Sequence, residues 1–541
     1  MEFNLADLFE CVADHVPERE ALVAGERRLT YRELDQRATR LAHSLAAAGI
    51  GPDDRVGLYL YNCAEYLETM LACFKIRAVP ANINYRYVED ELAYLLADGG
   101  LGALLYSPDL RGRVDACRGH EAFPALAVEV GPDYEALVAA GSSDRDFGPR
   151  SADDHYLLYT GGTTGLPKGV VWRQEDMFFA TMGGGNAGGP PLTDPEKIGE
   201  TVLVNRRQRL NPLLPPDDPG PEVYTTMALG PLIHAAGQWS AWGGFLSGGR
   251  VVLYLPRNMD MATVLRLVED EEVTSLNLVG DATARPLAEE LEASPGKYRT
   301  SCLRLLGSGG SILSADVKER LFAALPTVLG ITEAIGSSES PVQGVAMARP
   351  GQPQTSLTFA ARPETMVVDD DLRPIAPGTG QVGRLATRGR VPIGYHGDPE
   401  KTARTFVEID GERWALPGDM ATIDADGTIH LLGRGSLCIN TGGEKVYPEE
   451  VEAALKAHPA IADAVVVGVP DPRWGQRVAA VVQVESSAIG GDGLGLAELQ
   501  DWCRTRLAGY KVPRSVHLVD EVQRSAAGKA DYAWAKVTAM G

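Results

Sequence analysis

The chain reads as an α/β protein, with a large N-terminal domain of parallel-rich sheets and helices, a β-rich subdomain, and a small α+β C-terminal domain. Three observations carry that reading. Apolar strand-like runs alternate with helical periodicity from the N-terminus to about residue 306. The texture then changes, after about residue 355, to short β-like runs broken by turn signals such as Pro377-Gly378 and Asp426-Gly427. At 541 residues the chain also exceeds what one hydrophobic core serves, so at least two domains are expected.

The elements follow in order. Thr30 and Glu33 form a capping box, and Leu34, Ala38, Leu41, Ala42 and Leu45 recur at helical spacing until Gly49. Arg55 to Leu60 reads as a strand and Ala64 to Ile76 as a helix. Tyr156-Leu157-Leu158-Tyr159 is a short buried strand that the next segment leaves at a sheet edge. Residues 183–222 are rich in glycine and proline, which suits a lid, a binding loop or a tolerated surface insertion equally. Met227 to Gly249 has no charged side chain apart from His234 (when protonated), but Pro231, Gln238 and its glycines break any apolar span, so it is expected to be buried strand and loop. Strands are expected at Val251 to Tyr254, Ser275 to Val279 and Leu303 to Leu306. The smaller unit should contain strands at Ala464 to Val469 and Val478 to Val484, then a helix from Leu496 to Leu507. The boundary falls near Gly433 to Ser436, giving domains 1–433 and 437–541 with residues 434–436 between them.

Bulk composition narrows the function. The formal charge of −22 argues against nucleic acid or an anionic membrane as the main partner, so any polyanion site must be built from a few placed cations. The seven cysteines are scattered without a Cys-x-x-Cys pair, which fits reduced thiols and no zinc site. The N-terminus has neither a basic nor an apolar leader pattern, and a cytoplasmic location without a membrane span is expected.

Tyr159 to Val170 is the segment richest in chemistry. Gly161, Gly162 and Gly165 free the backbone to turn and present N–H groups, Thr160, Thr163 and Thr164 add hydroxyls, and Lys168 adds a compact positive charge. Such a set on a mobile loop makes a cradle for a polyphosphate. It is not a Walker A loop, since no Gly-Lys-Ser/Thr closes it.

Six further segments accompany it in order: Gly307 to Ser311, Ile335 to Glu339, Gly394 to Thr402, Trp414 to Asp419 with Gly433-Arg434, Gly442 to Glu450, and Ser525 to Lys529. Together the seven resemble the adenylate-forming superfamily of acyl-CoA synthetases, luciferases and peptide-synthetase adenylation domains, over nearly the whole chain. The resemblance implies that the small C-terminal domain is mobile and that the active site lies between the domains. It also implies the reaction. A carboxylic acid and ATP give acyl-AMP and pyrophosphate, and the thiol of coenzyme A then releases AMP and leaves acyl-CoA.

The residue roles come with the resemblance. Thr160 to Lys168 would hold the β- and γ-phosphates, with Thr164 and Glu339 at a Mg²⁺ ion and Gly336, Ser337 and Ser338 beside the nucleotide. Gly309, Gly310 and Ser311 match the backbone strip against adenine. Asp419 matches the acceptor for the ribose hydroxyls, and Arg434 a second ribose contact. Lys529 matches the lysine that swings in with the small domain to bridge the carboxylate and the α-phosphate. His234 matches an acyl-pocket residue, Gly442 and Gly443 the lining of the pantetheine tunnel, and Ser436 the hinge pivot. Thr332-Glu333 imitates the Thr-Glu motif, but Glu339 has the required glycine before it. Departures are Ser436, where relatives carry Asp or Lys, Asn440 in place of a second lysine, and Gly161 in place of serine.

Gly336-Ser337-Ser338-Glu339, Val279-Gly280-Asp281, Ile439 to Lys445 and Gly528 to Tyr532 look most like actinobacterial fatty-acid and steroid-side-chain acyl-CoA ligases. An apolar or polycyclic acid is the expected substrate, and Ala235, Ala236 and Gly237 leave room for bulk. A ligase that loads the acyl group onto a carrier protein is the enzymatic alternative, and a non-catalytic acyl-nucleotide-binding protein the alternative of another class. A homodimer is left open.

Overall fold

A computed structural model describes residues 1–162, 165–185, 190–204, 221–441, 444–471, 474–485, 495–507, 509–525 and 528–541. Thr163, Thr164, Gly442 and Gly443 lie outside the described residues, as do parts of the 183–222 segment. Among the described residues the strands form three sheets.

The largest sheet, of 15 strands among the described residues, changes character at Gly330–Ile335. On one side Glu20–Ala24, Arg250–Leu253, Thr225–Ala228, Ser275–Leu278, Leu305–Gly309 and Gly330–Ile335 are parallel neighbours. On the other side Gly344–Ala348, Thr358–Ala361, Thr428–Arg434, Asp419–Ile423 and Gly383–Arg388 continue antiparallel. The expected β-rich subdomain is this antiparallel half, and it shares its sheet with the parallel part. A second sheet runs from Gly394–Tyr395 through Gly165–Arg173, His155–Gly162, Val79–Asn82 and Arg55–Tyr59 to Leu101–Tyr106 and Leu126–Glu129. The third sheet belongs to the C-terminal part. Its strand Ile461–Asp471 pairs antiparallel with Gly475–Val484, which pairs parallel with Ser515–Val519.

Several expectations hold in detail. Thr30 and Glu33 make the reciprocal capping box, and the helix Tyr31–Ala47 buries Leu34, Ala38, Leu41, Ala42 and Leu45. Others need correction. Met227 to Gly249 is not strand and loop throughout, because the strand Thr225–Ala228 is followed by a helix, Ala235–Phe245. That helix carries no amphipathic stripe, which hid it from periodicity. Gly244 serves packing instead: a Cβ there would meet Thr226 and Val251 side chains at 2.8 Å. Trp242 is fully buried, edge-on to Phe74 at 5.2 Å between ring centres. The strand expected at Leu303 begins two residues later, so Gly307 and Gly309 lie within it. The last helix expected to reach Leu507 ends at Arg504.

The glycine-rich segment also differs from a loop leaving a sheet edge. His155–Gly162 is an interior strand that folds back as Gly165–Arg173, with Thr160 opposite Lys168 and Gly162 opposite Gly165. The segment expected to be a cradle is therefore paired strand on both sides of residues 163–164.

One buried ion cluster ties the N-terminal helices together. The Lys75 side chain is fully buried and donates to Asp35 at 2.7 Å and to Glu10, while Arg145 and Arg150 reach the same two carboxylates. It joins the helices Leu5–His15, Tyr31–Ala47 and Ala64–Lys75. Removing one partner of such a buried set leaves charge uncompensated. Lys75→Met should therefore lower the unfolding free energy by about 3–5 kcal/mol, read from urea denaturation of the wild type and the variant.

Candidate active site

The candidate site lies where the large sheet ends and the C-terminal part docks. Asp419 opens the strand Asp419–Ile423 and Arg434 closes its partner Thr428–Arg434, and the two are direct register neighbours. Arg434 Nε donates to Asp419 Oδ1 at 2.8 Å. Burial raises the pKa of Asp419, with Arg434 opposing, and the Asp419 charge raises that of Arg434.

Glu339 is held from the side by the second sheet. Tyr395 Oη donates to Glu339 Oε1 at 2.7 Å, and Trp172 Nε1 donates to the Ser338 carbonyl at 3.0 Å. Ser337 N donates to the Ser340 carbonyl at 2.9 Å, closing a tight turn in which a Cβ on Gly336 would lie 2.0 Å from the Pro341 oxygen. Glu333, by contrast, is buried in an ion pair with Lys318. This supports reading the Thr332-Glu333 pair as structural.

Lys529 comes from the far end of the chain into this cleft. Its approach is fixed by Gly528, at φ +69°, and by a short loop in which Ser525 N donates to the Lys529 carbonyl at 2.8 Å. Lys529 is exposed as a residue, yet burial and then Arg434 lower its pKa, against Glu339 and Asp419. Burial, followed by the cations of Lys529 and Arg86, pulls His234 down to about 4, so the imidazole is neutral at physiological pH. Its Nε2 is buried without a hydrogen-bond partner, at the N-cap of Ala235–Phe245. One cleft thus gathers Asp419, Arg434, Glu339, Lys529 and His234.

The remaining expected residues divide. Thr160 faces Lys168 across the hairpin, with its Oγ1 3.5 Å from the Lys168 carbonyl. Gly161, Gly162 and Gly165 contribute hairpin backbone. Gly309 ends its strand and Gly310 follows at φ +78°, and a Cβ there would meet nothing within 4 Å. Glycine at 310 thus answers to its backbone angle, and the surface beside Ser311 is open. Ser436 sits in the single turn Gly435–Leu437 between the large and small sheets.

Four residues escaped the sequence reading. Tyr395 and Lys401 belong to a segment singled out without a role. Lys401 Nζ stands 3.8 Å from the centre of the Tyr395 ring, and burial together with the adjacent Lys168 ammonium lowers it to about 8. Asn82, fully within the core, donates to the carbonyls of Tyr159 at 2.8 Å and Ile233 at 2.7 Å and accepts from Tyr159 N at 2.7 Å. Glu449, on the helix Pro448–Lys456, accepts from Arg434 N at 3.2 Å and occupies the space a Cβ on Gly433 would need. Gly433 is at φ +116°, so glycine is required there twice over. Glu449 lies in the singled-out segment Gly442 to Glu450, where only an ordinary helix start, Pro448-Glu449-Glu450, marks the residue itself.

No cluster of three or more His, Cys, Asp or Glu among the described residues could hold a metal ion alone. Glu339, with one oxygen engaged by Tyr395, fits an ion bound by a single carboxylate and substrate phosphates, the usual habit of Mg²⁺.

Two family models match the chain: AMP-binding enzyme over residues 9–395, and AMP-binding enzyme C-terminal domain over residues 450–529. The chain is 42% identical over 553 residues to a 3-oxocholest-4-en-26-oate–CoA ligase of Rhodococcus rhodochrous, covering 99% of this chain and 96% of the relative. It is 44% identical over 554 residues to a medium/long-chain-fatty-acid–CoA/3-oxocholest-4-en-26-oate–CoA ligase of Mycolicibacterium smegmatis, with the same coverage of 99% and 96%. Among solved structures it superposes on an anthranilate CoA ligase bound to anthranoyl-AMP with a TM-score of 0.84 at 23% identity, covering 99% of this chain and 97% of that one. That likeness shows the fold.

Glu449 gives the docked arrangement a pH dependence. Burial and the neighbouring Glu452 carboxylate push Glu449 up to about 8. A raised folded-state pKa contributes stability that is complete below the ordinary carboxylate range and is lost as pH rises through about 8. Between about pH 5 and about pH 8 the wild type should therefore lose unfolding free energy relative to Glu449→Gln, by up to about 1.4 kcal/mol per pH unit. Parallel urea titrations of the two proteins across that range check it.

Proposed function

We propose, from the premise that the chain belongs to the AMP-binding enzyme family, that it is an ATP-dependent acyl-CoA ligase acting on a fatty acid or a steroid-derived acid. A carboxylate oxygen attacks the α-phosphorus of ATP, the bond to the β-phosphate oxygen breaks, and pyrophosphate leaves. The thiol of coenzyme A then attacks the acyl carbonyl carbon, its proton goes to solvent, and the bond to AMP breaks.

The observation that carries the reading is the delivery of Lys529, from the last part of the chain, into the cleft that already holds Asp419, Arg434, Glu339 and His234. Charge builds on the phosphoryl oxygens during adenylation, and placed cations and donors stabilise it. Lys529 is a mobile point charge of that kind. Asp419, an acceptor anchored by Arg434, suits two adjacent ribose hydroxyls. Gly309, Gly310 and Ser311 offer an open strip for adenine. His234, neutral and unpaired at Nε2, lines the acyl side without adding charge beside the carboxylate. Glu339 and Thr164 would hold Mg²⁺, which supplies charge neutralisation on the polyphosphate, and Tyr395 fixes one Glu339 oxygen in place. Thr160 to Lys168 grip the leaving pyrophosphate.

The docked pose is the adenylation pose. A turn about Gly435–Leu437, with Ser436 as pivot and residues 434–436 as hinge, would withdraw Lys529 and bring Gly442 and Gly443 to line the path of the pantetheine arm. The two domains are then 1–433 and 437–541. Coenzyme A and ATP as co-substrates fit a cytoplasmic setting.

A panel of medium-chain, long-chain and steroid-side-chain acids, assayed for AMP release dependent on both ATP and coenzyme A, tests the activity. AMP release with none of them defeats it. Lys529→Ala should slow adenylation at least about 100-fold, the scale of losing a transition-state charge contact. The same variant should still form thioester from preformed acyl-adenylate. Unchanged adenylation in Lys529→Ala would remove the role assigned here.

A further inference from the structure

We propose that Lys401 is a second polyphosphate-binding cation, which closes with Lys168 on the pyrophosphate end of ATP. The inference rests on the adenylation reading above. It starts from the Lys401 ammonium, held 3.8 Å from the centre of the Tyr395 ring on a segment paired with the strand that carries Lys168, so that two cations from different elements act on each other. Lys168 lies on the strand Gly165–Arg173 and Lys401 on the helix Pro399–Thr405. Like charges repel, and a solvated surface lysine has ample freedom to turn away.

The surrounding geometry holds Lys401 near its neighbour. Asp398 Oδ1 accepts from Lys401 N at 2.9 Å and so orients the start of the helix. Thr402 Oγ1 accepts from Tyr395 N at 2.9 Å and donates to the Asp398 carbonyl at 2.7 Å, tying the helix to the strand before it. That strand pairs with the hairpin, Tyr395 opposite Val170, and His396 N donates to the Gly169 carbonyl at 2.7 Å. The Lys168 and Lys401 backbones are therefore held in one frame. The Tyr395 ring serves both partners of the site, with its hydroxyl on Glu339 and its face under the Lys401 ammonium.

A ring face alone would explain a single cation there. It leaves the convergence of two cations unexplained, whereas a multiply charged anion between them turns the repulsion into a clamp. Asp398 and Glu339 also act on Lys401, against Lys168. Inorganic pyrophosphate and the β,γ end of ATP share the required chemistry; AMP, lacking those phosphates, does not.

Calorimetric titration of the full-length wild type, Lys401→Met and Lys401→Arg with inorganic pyrophosphate and with AMP tests the assignment. Lys401→Met should weaken pyrophosphate binding about 10- to 100-fold, the usual worth of a charge-assisted contact. AMP binding should stay within about twofold, which also reports that the variant is folded, and Lys401→Arg should recover most of the loss. KM for ATP should rise in Lys401→Met while KM for the acid holds. Wild-type pyrophosphate affinity in Lys401→Met, or an equal loss for AMP, overturns the proposal. Lys401-dependent pyrophosphate binding in a protein that activates no acid would uphold this site and sink the ligase reading instead.

Discussion

The Asp419–Arg434 ion pair joins the last two strands of the large sheet at the point where the chain leaves it. Each side of the site is referred to that pair. Asp419 and Arg434 face each other in register, so backbone pairing fixes their separation before any side-chain contact forms. The Arg434 backbone then receives Glu449 of the small domain, while the two charges also act on Lys529. A pairing slip of one residue would turn one of the two side chains to the other face of the sheet. The antiparallel extension of the sheet therefore does more than enlarge the core: it sets where the Asp419–Arg434 pair and the C-terminal part meet.

Against a chain of net charge −22, the cleft is a local exception. Lys168, Lys401, Arg434 and Lys529 are brought together from four distant segments, with Glu339 and Asp419 among them. A polyanion approaching an acidic protein is repelled at long range, though screening limits that repulsion to about 10 Å. Binding must then come from placed contacts at short range. The lowered pKa values of Lys401 and Lys529 are the cost of keeping cations in a walled cleft, a cost that an anionic ligand would offset.

What the sequence showed and what it concealed divide along physical lines. The capping box at Thr30 and the buried stripe of Tyr31–Ala47 were legible because each rests on residues within a few positions of one another, whereas the glycine-rich segment read as a loop leaving a sheet edge and is instead part of an interior hairpin. The resemblance then supplied Asp419, Glu339 and Lys529, and the structure brings those three to one place. The helix Ala235–Phe245 was concealed because burial on all sides removes the amphipathic contrast that periodicity detects. Lys401 was concealed because its meaning is a meeting with Lys168, and nothing local encodes that meeting. Glu449 looked like an acidic residue in the first turn of a helix, its ordinary place. Only the docking of that helix onto Gly433 and Arg434 gives it another reading.

Asn82 carries a consequence of its own. One buried amide holds both the strand that becomes the phosphate hairpin, through Tyr159, and the segment that presents His234, through Ile233. The spacing between the two halves of the site is thus the length of one side chain and not an average over loosely packed neighbours. On the proposed function, that amide ties the hairpin of the ATP half to the His234 segment of the acid half, so that neither would shift to suit an ill-fitting ligand without carrying the other with it. Room for different acids would then have to lie beyond the residues that Asn82 holds.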